Sequence, residues 1–207
     1  MTERNDATMS KKEQEIAFFN SMASSWDGMR NADTSRLERL LEMAALPAGA
    51  RVLDVGSGTG VLLPYLLEAI GPEGHVTAVD FAAGMLREAE RKYGGRGQID
   101  FRVEDVLQWT PEERFHAITC LNVFPHMAER KAQFLAHMRE LLVPGGVLVL
   151  MHDISRQEVN SIHGSCEEVK SHALPPAEET ARMLEEAGYH DVEAMEDDSL
   201  YFVRGVG

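Results

Sequence analysis

The sequence is poor in cysteine, in positive charge and in long apolar runs, and each shortage excludes a class of protein. Two cysteines among 207 residues cannot form a disulfide framework. Lysine and arginine number 20 against 34 acidic residues, and the resulting net charge of -14 repels nucleic-acid phosphates and anionic membranes. No apolar run approaches the roughly 20 residues that span a bilayer, and the polar N-terminus lacks a signal-peptide core. We therefore expect a cytoplasmic protein, with no nucleic acid as partner and no membrane insertion.

Apolar residues still make up 44% of the chain, which is enough for the core of one domain. From Arg51 onward short apolar segments alternate with helical ones, a pattern typical of an α/β fold with a parallel sheet covered on both faces. The last two strands are separated only by Glu196–Asp198, so they must form an antiparallel hairpin. The predicted strands are 51–55, 75–80, 99–105, 115–123, 147–153, 189–195 and 199–205.

Helices are predicted before, between and after these strands. Ser10 and Glu13 form a capping box that opens the first helix, and the second carries the apolar face of Leu37–Ala44. The polar stretch from Ile154 to Pro175 is longer than an ordinary connection and predicts an irregular loop. The whole chain, 1–207, is expected to be one domain, made of an N-terminal helical lid (1–46), a cofactor-binding core (50–152), a substrate loop (153–175) and a C-terminal helix and hairpin (176–207).

The most specific segment is VLDVGSGTG, Val52–Gly60, which leaves a strand and enters a helix. Glycines at 56, 58 and 60 let a ligand approach the backbone, and the following helix directs free N–H groups at it. A dinucleotide site has the spacing G-x-G-x-x-G, whereas this loop has G-x-G-x-G. Asp54, just before the loop, suits an ammonium or sulfonium group better than a pyrophosphate. The structural alternative is a tight turn that binds no ligand.

Two further aspartates follow the second and third strands. Asp80 can accept both hydroxyls of a ribose, although it can also cap the helix that begins near Ala82. Asp105 can accept from an adenine amino group while the Val106 N–H meets a ring nitrogen; alternatively, Asp105 caps its own loop. Together with Asp54, these carboxylates end three successive strands at the edge where open α/β sheets bind ligands.

These segments resemble a known family. VLDVGSGTG, AVDFAAGMLREAE, VEDVLQW, AITCLNVFPHM and LLVPGGVLVL resemble, in order, the main motifs of class I S-adenosylmethionine-dependent methyltransferases, over about Ala50–Met151. FFNSMASSWDGM resembles the N-terminal cofactor lid of the small-molecule branch, as in the ubiquinone/menaquinone methyltransferases, with Trp26-Asp27 in place of their usual Tyr-Asp. Strand four ends in NVFPH rather than the Asp/Asn-Pro-Pro-Tyr box of many amino-methylating relatives, which argues against N-methylation of DNA bases or protein amides.

The resemblance implies a Rossmann-like, doubly wound sheet of seven strands with the last strand antiparallel. It also implies S-adenosylmethionine as cofactor and a small-molecule acceptor. Asp54 and the glycine loop would hold the methionine end, and Asp80 the ribose. The cofactor-binding residues it implies are Asp54, Gly56, Ser57, Gly58, Thr59, Gly60, Asp80, Phe81, Met85, Glu104, Asp105, Val106, Leu121 and Asn122.

Candidate catalytic and substrate-binding residues are those that lie near the carboxyl ends of the strands or in the N-terminal helices. His126 comes after strand four and His152 ends strand five, so either side chain could take a proton from the acceptor. Alternatively, both histidines only pack or cap. Phe19 and Trp26, with Phe18, could fold over the cofactor and substrate, or form ordinary helical core.

Three questions stay open at this stage. His152, Asp153, His163 and Cys166, with His126 and His172 nearby, could bind a metal, although their spacing matches no compact zinc motif. A nucleotide-dependent oxidoreductase and a non-catalytic partner subunit with the same fold are the alternative functions. The oligomeric state is undetermined, with a homodimer among the options.

Overall fold

The computed structural model describes residues 9–29, 33–167 and 169–207, so residues 1–8 and 30–32 of the predicted lid and residue 168 of the predicted substrate loop lie outside it. The helices are α1 (Lys11–Met22), α2 (Trp26–Met29), α3 (Thr34–Ala44), α4 (Leu63–Ile70), α5 (Ala83–Tyr93), α6 (Lys131–Leu141), α7 (Arg156–Gly164) and α8 (Ala177–Glu186). The strands are β1 (Arg51–Val55), β2 (His75–Asp80), β3 (Ile99–Val103), β4 (Phe115–Leu121), β5 (Leu142–His152), β6 (His190–Glu196) and β7 (Tyr201–Val206).

The seven strands form one sheet in the order β3-β2-β1-β4-β5-β7-β6. Neighbours among β1 to β5 are parallel, whereas β7 runs antiparallel to both β5 and β6. The predicted seven-stranded sheet with its last strand reversed is therefore confirmed. Because the order reverses between β1 and β4, the loops after these strands diverge and leave a crevice at their carboxyl ends.

Successive residues of each strand face opposite sides of the sheet, and each side has its own apolar layer. Val52 packs in the layer that contains the buried faces of α3 and α4, whereas Leu53 packs in the layer of α6 and α8. In α3 the predicted apolar face is buried, with Leu40 fully inaccessible. Both faces of the sheet are thus covered, as the near-continuous apolar strands predict.

The N-terminal helix begins as its capping box predicts. The Ser10 backbone N–H donates to Glu13 Oε2 at 2.7 Å, and the Ser10 hydroxyl accepts from the Glu13 N–H at 3.3 Å. None of α1 to α8 is long and apolar enough to cross a membrane.

Three local predictions are wrong. A helix, α7, occupies part of the expected loop 153–175; the Ser155 hydroxyl caps it by accepting from the Glu158 N–H at 3.2 Å. Strand β4 ends at Leu121 rather than at the predicted residue 123, and a 3-10 helix, Phe124–Arg130, follows it. Pro125 fits the first turn of this helix, and Ala128 interrupts it with φ 47°. Finally, β5 begins at Leu142 rather than at the predicted residue 147, and its pairing with β4 is irregular between these two positions.

Candidate active site

A cavity of about 570 Å³ opens at the carboxyl ends of β1 to β5. Helices α1 and α2 cover it on one side, and α7 borders it on another. Every predicted site residue except Gly60 lines this cavity. Those residues are Phe19, Trp26, Asp54, Gly56, Ser57, Gly58, Thr59, Asp80, Phe81, Met85, Glu104, Asp105, Val106, Leu121, Asn122, His126 and His152.

Gly60 has a packing role instead. A Cβ at this position would lie 2.8 Å from Leu63 Cδ1 and 3.1 Å from Ala89 Cβ, so α4 and α5 leave no room for a side chain. Its φ of +82° also favours glycine. The third glycine of the loop therefore brings two helices together rather than forming the cavity wall.

The first two glycines shape the wall itself. Gly56 and Gly58 have φ values of +64° and +57°, in the left-handed region. A Cβ on Gly56 would lie 2.4 Å from Val123 Cγ2, so the loop fits closely against the end of β4. The Gly58 N–H donates to Asp80 Oδ2 at 3.0 Å, which fixes the loop around that carboxylate.

Asp54 is buried beneath the loop, with 2% of its surface exposed. Thr119 Oγ1 donates to Asp54 Oδ1 at 2.8 Å across the β1–β4 pairing. Asp54 Oδ2 and Ser57 Oγ are buried and neither makes a hydrogen bond of good geometry among the described residues, although the nearby Ser57 hydroxyl partly offsets the effect of burial on the pKa of Asp54. Burial raises the pKa of Asp54 to about 6, because water no longer solvates its charge. Such unsatisfied acceptors favour binding of a cationic, hydrogen-bond-donating ligand at this point.

Asp80 does not cap α5 in the way that its sequence position allowed. Its Oδ1 accepts from the Ala82 N–H at 2.8 Å, but Ala82 itself is the N-cap of α5 and no side chain caps that helix. Each carboxylate oxygen has more than one acceptor position, so hydroxyl groups of a ligand can still donate to it. Burial raises the pKa of Asp80 to about 6.

Asp105 also caps its loop, since its Oδ1 accepts from the Leu107 N–H at 3.1 Å. Its Oδ2 accepts from Lys12 Nζ at 2.6 Å. The lysine comes from α1, so the sequence alone offered no signal for this contact. This contact joins Asp105 to the helical cover of the cavity, which consists of α1 and α2.

Aromatic side chains of the cover meet the sheet edge at Phe19. Its ring centroid lies 5.7 Å from Trp26, 5.7 Å from Phe81 and 5.6 Å from His126. Phe81 belongs to the predicted adenosine end and His126 to the predicted acceptor end. Phe19 therefore stands between the two ends of the cavity.

Polar contacts attach the same cover to the glycine loop. Thr59 Oγ1 donates to Asp27 Oδ1 at 2.5 Å, and Lys92 Nζ of α5 lies 2.8 Å from Asp27 Oδ2. The Gly84 N–H donates to Asn20 Oδ1 at 2.6 Å. These bonds join α1 and α2 to the elements that carry the loop.

His152 is 1% exposed, yet neither of its ring nitrogens has a hydrogen-bond partner among the described residues. Its ring packs edge-on against Tyr201 of β7, with centroids 5.6 Å apart. Burial lowers the pKa of His152 to about 3, so the imidazole is neutral at physiological pH. Asn122, at φ +59°, donates through Nδ2 to Asp153 Oδ1 at 2.8 Å and leaves its buried Oδ1 unsatisfied.

Three more histidines meet beyond Phe19. His126 Nδ1 lies 3.1 Å from His172 Nδ1, and the His126 ring centroid is 5.0 Å from that of His163. Cys166 lines the cavity near them. Within residues 9–29, 33–167 and 169–207, no group of three His, Cys, Asp or Glu side chains is placed to hold a metal ion.

Comparison with known proteins places this geometry in context. Residues 52–146 match the sequence model of a family described as "Methyltransferase domain". A "Ubiquinone biosynthesis O-methyltransferase" of Xanthomonas campestris pv. campestris is 37% identical over 118 residues, 56% of this chain and 47% of that protein. The "Ubiquinone/menaquinone biosynthesis C-methyltransferase UbiE" of Pseudomonas paraeruginosa is 28% identical over 152 residues, 69% of this chain and 59% of that protein. The chain thus spans about half the length of these curated relatives.

Likeness in structure extends further along the chain. The structure of a DhpI–SAH complex superposes with a TM-score of 0.76 at 21% identity, covering 93% of this chain and 95% of that one. At this identity the match shows a shared fold. In the sequence of its central segment and in the fold of nearly its whole length, the chain resembles class I S-adenosylmethionine-dependent methyltransferases, which confirms the predicted family resemblance.

Proposed function

We propose that this protein transfers the methyl group of S-adenosylmethionine to a small-molecule acceptor. The observation that carries the proposal is the pair of buried, unsatisfied oxygens, Asp54 Oδ2 and Ser57 Oγ, beside the glycine loop. An ammonium group of the cofactor's methionine end can donate to both. The curated relatives named above are methyltransferases, which supports the same reading.

The rest of the cavity fits the adenosine end. Asp80 would accept from the ribose hydroxyls, and Asp105 with the Val106 N–H would bind the adenine edge. Phe81 and Met85 supply the apolar flanks, and both line the cavity. A dinucleotide fits less well, because its pyrophosphate would lie beside two buried carboxylates, Asp54 and Asp80.

Bound S-adenosylmethionine supplies a methyl group that is already activated by its sulfonium. The protein therefore has to position the acceptor in line with that group and exclude water. Phe19 and Trp26 close the cavity over its contents. Asn122 Oδ1 and the ring nitrogens of His152 have no hydrogen-bond partner among the described residues, so they are available to orient an acceptor.

The acceptor's size and identity are proposals that rest on the cavity and on the relatives. A volume of about 570 Å³ holds a cofactor and a small molecule more readily than a macromolecular segment. The names of the two curated relatives include O- and C-methylation, so the shared fold does not determine the acceptor atom. The cytoplasmic location, the absence of nucleic-acid partners and a homodimer remain predictions.

Calorimetric titration with S-adenosylhomocysteine tests the proposal. Asp80→Ala should weaken binding by about 1–3 kcal/mol, roughly 5- to 150-fold, through lost charge-assisted hydrogen bonds. Asp100→Ala is the matched control, because that carboxylate is exposed on β3 and pairs with His75. Wild-type protein that ignores S-adenosylhomocysteine at millimolar concentration, or that binds NADH instead, would refute the proposal.

Binding alone does not separate an enzyme from a non-catalytic partner subunit. Transfer of labelled methyl from S-adenosylmethionine to a panel of small hydroxyl and thiol compounds makes that distinction. We expect labelled product with at least one compound.

A further inference from the structure

A chain of three titratable side chains leads from the cavity to the edge of α1. His126 lines the cavity, and its Nδ1 lies 3.1 Å from Nδ1 of His172. On the far side of that second ring, His172 Nε2 lies 3.6 Å from Glu15 Oε1. His172 is 1% exposed and Glu15 is 14% exposed, so the chain runs from a buried site toward solvent.

The geometry selects one protonation pattern. The Glu15 carboxylate is too far from His172 Nε2, at 3.6 Å, for a hydrogen bond, but its negative charge beside that nitrogen favours the tautomer that carries its proton on Nε2. A neutral imidazole has one N–H, which leaves His172 Nδ1 as an acceptor. His126 Nδ1 must then be the donor, and His126 Nε2 is left as a bare acceptor.

The neighbouring histidine holds this arrangement in place. His163 Nδ1 faces the backbone carbonyl of His172 at 2.5 Å, and because a carbonyl only accepts, His163 is the donor. That bond fixes the backbone at His172 from the α7 side. The Phe19 ring packs edge-on against His126 at 5.6 Å and restricts its rotation.

We propose that Glu15, His172 and His126 form a proton relay that makes His126 Nε2 the base for an acceptor bearing a hydroxyl or thiol. The inference rests on the proposed methyl transfer. An oxygen or sulfur acceptor must lose its proton, whereas a neutral amine attacks with its free electron pair. Glu15 and His172 are positioning residues, since they act through His126.

The step is balanced in atoms and charge. The acceptor oxygen or sulfur forms a bond to the methyl carbon as that carbon's bond to the sulfonium sulfur breaks, and the electron pair stays on the sulfur. The acceptor proton goes to His126 Nε2, and the Nδ1 proton of His126 passes to His172 Nδ1. The Nε2 proton of His172 passes to Glu15 when the 3.6 Å separation of the two side chains closes to hydrogen-bond distance. The positive charge lost at the sulfonium is matched by the negative charge lost at Glu15.

A relay also resolves a difficulty that a lone histidine would face. Burial and nearby positive groups lower the pKa of His126 to about 3 and that of His172 to about 4, so neither ring holds an additional proton well. Burial raises the pKa of Glu15, which makes it the better final proton acceptor of the three. Its partial exposure then allows the proton to leave to water.

Histidine tautomers can be measured directly. We expect two-bond ¹H–¹⁵N correlation spectra of the full chain, saturated with S-adenosylhomocysteine at neutral pH, to show His126 protonated on Nδ1 and His172 on Nε2. His126→Gln and His172→Gln assign the signals. Glu15→Leu should raise several-fold the fractions of His172 protonated on Nδ1 and of His126 protonated on Nε2.

Glu129→Gln is the matched control, because it removes an exposed carboxylate whose charge also acts on His172 but which forms no hydrogen bond or ion pair with that ring among the described residues. It should leave both tautomers as in the wild type. A wild-type His126 protonated on Nε2, or unchanged tautomers in Glu15→Leu, would overturn the relay. The wild-type spectrum decides the matter even where the variant fails to fold, and loss of S-adenosylhomocysteine binding would count against the proposed function alone.

Discussion

The two ends of the cavity are built in different ways. At the glycine-loop end, the walls come from β1 and β2 and the turns that follow them, with Asp54 and Asp80 beneath a continuous loop. At the histidine end, four histidines come from four separate places, and Glu15 joins them from α1: His126 from the 3-10 helix after β4, His152 from the end of β5, His163 from α7 and His172 from the segment after α7. The glycine-loop end is therefore local in sequence and carries two buried carboxylates. The histidine end is assembled by tertiary packing, and its neutral imidazoles are joined by one carboxylate at its outer side.

This difference explains what each end can do. Backbone and carboxylate groups at the loop end offer fixed acceptors for a cationic, hydroxylated ligand. The imidazoles at the other end offer lone pairs in an apolar setting, where Phe19 separates them from the loop. Binding and proton handling are thus expected to respond to different substitutions.

Gly58→Val should break the loop end with the largest effect. A β-branched residue at φ +57° is strained by about 1–3 kcal/mol, and its side chain would also fill the cavity wall. We expect affinity for S-adenosylhomocysteine to fall at least about 100-fold, measured by calorimetry. Gly71→Val also places a β-branched residue at a positive φ, +71°, but outside the cavity lining; it should lower stability and leave affinity unchanged. Equal losses of affinity would contradict the loop's role.

The contributions of the two ends to the stability of the fold should depend on pH with opposite sign. The pKa of His152 is lowered to about 3, so its contribution to stability is complete above about pH 6.5 and is lost as the pH falls toward 3. Asp54 has a pKa raised to about 6, so its contribution is complete below about pH 4 and is lost as the pH rises through 6.

His152→Gln should therefore flatten the loss of stability in acid. Between pH 6.5 and 5, we expect the variant to lose about 1–2 kcal/mol less unfolding free energy than the wild type, measured by urea denaturation. His190→Gln, an exposed position on β6 outside the cavity lining, should follow the wild-type curve. A variant that parallels the wild type would show that His152 is not held neutral by burial.

The smallest effect is expected where the cover meets the loop. Lys92→Met removes the ion pair to Asp27, which is 54% exposed, so the pair contributes at most about 1 kcal/mol. We expect a two- to fivefold loss of affinity for S-adenosylhomocysteine, since the cover would close less firmly. Arg91→Met removes a neighbouring pair with Glu88 on α5 that does not touch the cover, and it should cause no loss.

The two ends of the cavity also differ in how far their structure could be predicted from the sequence. Strands, the hairpin and the residues of the loop end were predictable, because each signal lies within a few neighbouring residues and its place at the sheet edge follows from topology. Gly60 shows the limit of this reasoning, since only the packing of α5 on α4 distinguishes a wall glycine from a packing glycine.

The histidine end was predictable only as an inventory. Nothing in the spacing of His126 and His172 indicates that their rings meet, and Glu15 reads as an ordinary surface residue of α1. For α7 a signal did exist: Ser155 and Glu158 have the spacing of a capping box, which the polar composition of the segment obscured.

The placement of β7 has a consequence for the order of folding. This strand enters between β5 and β6, and its Tyr201 packs against His152. During synthesis β5 therefore keeps an open edge until residues 201–206 have emerged, although the glycine loop was made some 140 residues earlier. A nascent chain would thus contain the complete glycine loop well before Tyr201 is available to pack against His152.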